Sequence, residues 1–224
     1  MNKIIAALVL CCVPVMAVDL ASLTNRETGN GLKEALVQGA EVAVGRLSAP
    51  DGFLGNPRVK IPLPPTLAKV EKTLRRVGLD READELVTTM NRAAEDAVVE
   101  AKPILLASIK KMTLADAKAI LTGPADSATQ YFRKSSGEAI ALKFKPKVAL
   151  ATRKVKLAKQ YYDVAGKAAQ FGLIDKGDAN LDDYVTRKAV DGLFLMIAEQ
   201  EKAIRQDPLG QASNLLRKVF GAVK

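Results

Sequence analysis

The chain has 224 residues, of which 48% are hydrophobic and only 4% aromatic. This composition is typical of close-packed helices and excludes an intrinsically disordered chain. The formal net charge of +9 favours anionic partners.

The N-terminal segment has the pattern of a cleaved secretory signal. Residues 1–3 include the positively charged Lys3, residues 4–13 form an uncharged apolar run, and after Pro14 small residues occupy the two positions that a signal peptidase reads, Val15 and Ala17. We expect cleavage after Ala17, leaving a protein that is soluble in the periplasm of a Gram-negative bacterium. Cys11 and Cys12 lie inside the apolar run, and neither follows the small residues that lipidation requires.

Cleavage would leave a chain with neither Cys nor His, because the sequence contains no His and its two Cys lie in the signal. This excludes a Ser-His-Asp triad, a thiol nucleophile, a His-ligated haem and an ordinary zinc site. We therefore expect no cofactor and no metal. Nucleic acid is a common partner of basic cytosolic chains, but an exported chain seldom meets it, so we expect no nucleic-acid partner.

Helical periodicity dominates the rest of the chain and predicts an all-α fold, a single compact domain over residues 18–224 with about seven to nine helices. A first helix is predicted over residues 31–47. After a proline-rich segment, a helix starts at Pro65 and stops at Gly78. A long acidic helix is predicted over residues 81–112, with a kink or split at Pro103.

The proline-rich segment, residues 48–65, is called the strap below. It holds five of the ten prolines and two glycines, so neither a helix nor a central strand can persist there. It also carries large apolar residues that a solvated linker would not need: Phe53, Leu54, Val59, Ile61 and Leu63. We interpret the strap as an ordered segment lying over the helices. Its apolar side chains are candidates to line a groove for an acyl chain or a partner segment.

Further helices are predicted in the second half of the chain. Thr113 caps a short helix that ends at Gly123, and another helix begins near Asp126, with a restart or kink at residues 135–138. A helix with Pro146 in its first turn carries one narrow apolar stripe: Phe144, Val148, Ala151, Val155, Ala158 and Tyr162. A loop at residues 172–180, a long helix over 181–206 with Asn180 as cap, and a closing helix over 212–219 complete the pattern.

Residues 143–159 contain seven cations and no acid. An apolar stripe flanked by cations is typical of a helix that binds an anionic interface, here through Lys143, Lys147, Arg153 and Lys154. It is equally typical of a packed helix whose lysines reach solvent, and this helix can simply face the acidic one.

Three patterns in the sequence are candidates for catalysis or metal binding. Ser108 and Lys111 have the spacing of a Ser-Lys pair, but the companion K-T-G motif is absent. Glu95, Asp96 and Glu100 are candidate carboxylates for glycoside hydrolysis, and Asp96 and Glu100 share one face of the predicted helix. Acids on any solvent-exposed helix share a face in the same way, so a solvated acidic surface is the alternative interpretation. A calcium loop counted from Asp178 lacks the required Gly and Glu. No catalytic residue is predicted.

Four segments, residues 50–64, 89–98, 128–133 and 184–208, resemble one bacterial family, domain of unknown function 4197. The resemblance spans the sequence that follows the signal. It implies a helical, exported protein, and it implies no activity or catalytic residues.

Together these patterns favour a non-catalytic periplasmic module that binds an apolar or anionic ligand, such as a lipid or acyl chain, or an envelope protein. One alternative is peripheral association with an anionic membrane or glycan through the basic helix. The other is a carboxylate-dependent hydrolase of envelope glycans.

Overall fold

The computed structural model describes residues 25–76, 78, 80–170 and 180–207, and these contain helices and turns but no strand. The predicted all-α class is confirmed. Eight helices lie in the described ranges: α1 Asn25–Ser48, α2 Pro65–Arg76, α3 Asp80–Val98, α4 Ala101–Lys111, α5 Leu114–Thr122, α6 Ser127–Thr152, α7 Lys156–Gln170 and α8 Leu181–Gln206. The predicted signal peptide, most of the loop at 172–180 and the closing helix at 212–219 lie outside these residues.

Two helix starts follow directly from their capping residues. Thr113 Oγ1 accepts a hydrogen bond from the Asp116 N–H at 3.1 Å, and the Asp116 carboxylate accepts one from the Thr113 N–H at 2.9 Å. This reciprocal pair is a capping box, and it begins α5 as predicted. Asn180 Oδ1 accepts from the N–H groups of Asp182 and Asp183, so the predicted start of α8 is also confirmed.

The predicted long acidic helix is split into α3 and α4 near Pro103. Pro103 lies in the first turn of α4 and has no N–H to donate to the carbonyl of Val99, four residues earlier. Helix α3 therefore ends at Val98, and α4 starts at Ala101.

The sequence-based boundaries around α6 were wrong. Helix α6 continues without a break through residues 135–138 and past Phe144, so Pro146 lies inside it and not in a first turn. Pro146 leaves the carbonyl of Leu142 without its helical donor, and this is tolerated because Leu142 is exposed to water. The predicted stripe is divided between two helices, since α6 ends at Thr152 and α7 begins at Lys156.

Helices α6 and α8 pack against each other at the centre, with α1, α3 and α4 around them. Phe132 and Phe144 of α6 and Phe194 of α8 are among the largest fully buried side chains. In the apolar stretch 193–198 of α8 four side chains are buried, Ala198 is partly buried and Leu195 is 37% exposed. The described helices share one hydrophobic core.

The first turn of α6 is capped from a distance by Glu201 of α8. The buried Glu201 carboxylate accepts hydrogen bonds from the N–H groups of Ala128 at 3.0 Å and Thr129 at 2.9 Å. Asp126, the adjacent N-cap residue, makes no such side-chain bond. A carboxylate at a helix N-terminus also meets the positive end of the helix dipole.

We expect Glu201→Ala to lower the free energy of unfolding by about 2 kcal/mol, because two buried N–H groups lose their acceptor. Glu201→Gln keeps an acceptor oxygen and should lose about half as much. Urea unfolding followed by circular dichroism measures both. The exposed neighbour Lys202 provides the control, Lys202→Ala. Equal stabilities of Glu201→Ala and Lys202→Ala would contradict the capping role.

Candidate functional site

The strap is ordered, and most of its apolar side chains belong to the core. Phe53, Val59, Ile61 and Leu63 are buried, and Leu54 is half-buried. In this arrangement the four buried side chains pack among core residues and offer little surface to a ligand. The predicted groove formed by these residues stays a prediction, and their burial argues against it.

Two polar side chains of α3 hold the strap from beneath. Asn91 is fully buried, and its amide accepts from the Ile61 N–H and donates to the Ile61 carbonyl, both at 2.8 Å. Glu95 accepts from the N–H groups of Phe53 and Leu54 at 3.0 and 3.1 Å. The sequence makes Glu95 a candidate catalytic acid, but in the structure its carboxylate accepts hydrogen bonds from the strap backbone.

The strap also lies unusually close to α8. A Cβ atom placed on Gly192 would stand 2.8 Å from a ring carbon of Phe53 and 3.3 Å from Cβ of Val59. Glycine is the residue that permits this approach.

The other two buried carboxylates, Asp182 and Glu201, also accept hydrogen bonds that join helices. Asp182 accepts from Thr152 Oγ1 at 2.6 Å and from the Tyr162 hydroxyl, which ties the end of α6 to α7 and α8. Burial and the neighbouring Asp182 raise the pKa of Tyr162.

Asp182 and Glu201 bind opposite ends of α6, which are about 36 Å apart at about 1.5 Å per residue. Paired glycosidase carboxylates lie only about 5–10 Å apart, so Asp182 and Glu201 are too far apart to act as such a pair.

The described residues contain no group of three His, Cys, Asp or Glu side chains that could hold a metal ion. Asp178, where the candidate calcium loop of the sequence begins, lies outside the described residues.

The Ser-Lys pattern does not form a pair in the structure. Ser108 Oγ lies 2.7 Å from Ser135 Oγ of α6, and Ser108 is buried, whereas Lys111 is exposed. The hydroxyl of Ser108 is therefore hydrogen-bonded to the hydroxyl of Ser135 and not to a lysine that could activate it.

The outward surface of α6 exposes large apolar side chains to solvent. Leu142 and Leu150 are 68% and 67% exposed, and Pro146 is exposed between them. At about 100° per residue these three positions fall on one side of the helix. Exposed cations flank them on α6 and the turn that follows. We call this surface the basic face: Leu142, Lys143, Pro146, Lys147, Leu150, Arg153 and Lys154.

The positive charge of the basic face is only partly neutralised. Lys147 forms an ion pair with Glu100 at 2.8 Å, and this contact holds the pKa of the Glu100 carboxyl below its usual range. Arg153 is 74% exposed and 4.0 Å from Asp182. Lys143 and Lys154 have no carboxylate within 4.0 Å in the part of the chain that the structure describes.

The structure thus brings together the four cations singled out in the sequence, but the apolar partners differ from those expected. Phe144 and Val148 of the predicted stripe are fully buried. The exposed leucines were missed, although Leu142, Pro146 and Leu150 recur every four residues and so mark a second helical side. One cation does contact the acidic segment, since Lys147 pairs with Glu100.

A search of the described helices finds none that is long and apolar enough to span a bilayer.

Comparisons with known proteins place the chain in a family. The family model described as "Protein of unknown function (DUF4197)" matches residues 22–221. No curated protein and no solved structure matches the chain. The match covers nearly the whole sequence, and the chain therefore belongs to the DUF4197 family.

Proposed function

We propose that this protein is a non-catalytic interaction module of the periplasm, and that its basic face binds anionic phospholipid surfaces. The observation that carries the proposal is the exposure of Leu142 and Leu150 beside Lys143 and Lys154, which have no salt-bridge partner among the described residues. A helix that lies in a membrane interface combines apolar side chains with a cationic rim in this way.

The expected energies suit reversible binding. Each cation near an anionic bilayer contributes about 1 kcal/mol. Lys143 and Lys154 contribute most, because Lys147 is paired with Glu100 and Arg153 lies 4.0 Å from Asp182. Full burial of a leucine is worth about 2 kcal/mol, and both leucines are two-thirds exposed. Charge and apolar contact are therefore of similar size, and removal of either should weaken binding.

The test of the charge contribution is co-sedimentation with vesicles of phosphatidylglycerol and phosphatidylcholine. We expect Lys143→Glu with Lys154→Glu to lower the partition coefficient at least tenfold, because four units of charge change at the basic face. Raising the salt concentration should weaken wild-type binding, since exposed charges are screened.

The matched control reverses two other exposed lysines, Lys110 and Lys118, which lie on α4 and α5. It changes the net charge equally but leaves the basic face intact. If both double variants lose binding to the same extent, the basic face is not the contact surface and the proposal fails.

The apolar contribution has a separate test at constant charge. Leu142→Ser with Leu150→Ser should weaken vesicle binding about tenfold or more, given about 1–2 kcal/mol per exposed leucine. Leu114 on α5 is 61% exposed and provides the control, Leu114→Ser. Unchanged binding by the double serine variant would show adsorption by charge alone and would contradict insertion of the leucines.

A further inference from the structure

A small hollow lies on another part of the surface, where the strap meets α8. It has a volume of about 170 Å³. Val59 and Pro62 of the strap and Gly192 and Leu195 of α8 form its apolar part. None of these residues belongs to the basic face.

The walls of this hollow are fixed by core contacts. Val59 is buried, and its Cβ would lie only 3.3 Å from a Cβ atom placed on Gly192 of α8. The preceding turn is closed by Asn56, whose backbone carbonyl accepts from the N–H groups of Val59 at 3.1 Å and Lys60 at 2.9 Å. The Asn56 side chain also accepts from the Arg58 N–H. A ligand would therefore meet a pre-formed site and need to order little chain.

Six charged residues line the hollow or pair with a residue that lines it, and four of them form two ion pairs. Arg58 pairs with Glu199 at 2.6 Å, and Asp191 pairs with Arg133 at 2.8 Å. Because Glu199 neutralises Arg58 and Arg133 neutralises Asp191, these two lining residues add no net charge to the hollow.

Two lysines complete the lining, Lys60 from the strap and Lys188 from α8. Neither has a carboxylate within 4.0 Å among the described residues, and both are exposed. Lys188 lies 5.9 Å from the ring of Tyr184, a contact that leaves its charge in place. The hollow thus carries two lysines without a salt-bridge partner, on separate elements, beside the exposed side chains of Pro62 and Leu195. Lys60 also interacts electrostatically with Asp84 of α3.

We propose that this hollow binds a phosphate monoester that bears a small apolar group. A phosphate monoester carries nearly two negative charges at neutral pH and matches the two ammonium groups. Lysine binds phosphate as a point charge and needs no planar fork geometry. A carboxylate supplies only one charge, so it should bind more weakly. The apolar group would lie on the exposed side chains of Pro62 and Leu195.

The deciding experiment titrates the protein with phenyl phosphate by isothermal calorimetry at fixed salt. We expect saturable binding that is at least tenfold weaker in the Lys60→Gln, Lys188→Gln variant, and weaker for benzoate than for phenyl phosphate. The control variant, Lys110→Gln with Lys118→Gln, loses the same charge elsewhere and should bind like wild type. Both pairs of lysines are exposed, and thermal unfolding checks that the variants stay folded.

Vesicles identify the source of the phosphate group. If the natural ligand is a lipid headgroup, vesicles of phosphatidic acid bind better than those of phosphatidylglycerol, and the Lys60→Gln, Lys188→Gln variant loses that advantage. If there is no such advantage, the ligand is a soluble phosphate monoester. Phenyl phosphate that fails to saturate, or that binds both glutamine variants equally, overturns the site. Lys143→Glu with Lys154→Glu should leave phenyl phosphate affinity unchanged, so this proposal and the membrane proposal fail separately.

Discussion

Phe53→Ala is expected to lower the free energy of unfolding by about 4 kcal/mol, the typical cost of removing a buried phenylalanine. Phe53 is fully buried and lies against α8 at Gly192. Its ring anchors the first half of the strap, and the glycine leaves no side chain that could move into the resulting cavity.

Urea unfolding measures this loss, with Leu54→Ala as the control. Leu54 is the next residue along the strap but is only half-buried, so we expect a loss of about 1 kcal/mol. A loss below 1 kcal/mol for Phe53→Ala would show that the strap is loosely attached. The wall of the hollow beside Gly192 would then not be fixed.

Asn91→Ala is expected to cost about 3 kcal/mol, because it leaves both the N–H and the carbonyl of Ile61 without their partner. Both bonds are 2.8 Å long, and Asn91 is fully buried. A buried polar group left unpaired costs about 1–3 kcal/mol. Asn91→Asp keeps an acceptor for the Ile61 N–H but loses the donors, so it should also destabilise the fold.

Amide hydrogen exchange separates a local from a global effect. The Ile61 N–H should exchange faster in Asn91→Ala than the overall loss of stability accounts for, because its hydrogen-bond acceptor is gone. Asp96→Ala, at an exposed position on the same helix, should change stability by less than about 0.5 kcal/mol. If Asn91→Ala and Asp96→Ala are equally stable, Asn91 does not hold the strap.

The sequence predicts that the strap is ordered but not how it is held. Five large apolar residues among five prolines favour packing over solvation. The residues that hold it are polar and distant in sequence: Glu95 bonds to Phe53 across 42 positions. Local composition contains no signal for that pairing, so the sequence alone does not distinguish Glu95 from the other acids of its helix.

Pro103 and Pro146 show why some helix boundaries are harder to predict from the sequence than others. Both prolines lack the N–H that an uninterrupted helix would need, yet only Pro103 accompanies a break. Pro146 sits beside exposed Leu142, and water can hydrate the freed carbonyl. Which side of a helix faces solvent depends on the packing of other helices, so the local pattern alone could not separate the two cases.

The basic face was predictable in its charge and not in its apolar part. The seven cations of residues 143–159 are visible in the sequence. Helix α6, however, carries apolar residues on two sides, and periodicity alone does not say which side the core takes. Contacts with α3 and α8 bury Phe144 and Val148 and leave Leu142 and Leu150 outside.

The most direct test of membrane binding is the depth of a spin label on the basic face. The sequence after Ala17 contains no Cys, so Leu150→Cys and the control Leu114→Cys each accept one nitroxide label. With phosphatidylglycerol vesicles, power-saturation spectra should show the label at position 150 in contact with lipid and the label at 114 in water. A label at position 150 that stays as accessible to water as the one at 114, with the protein bound, would contradict the account.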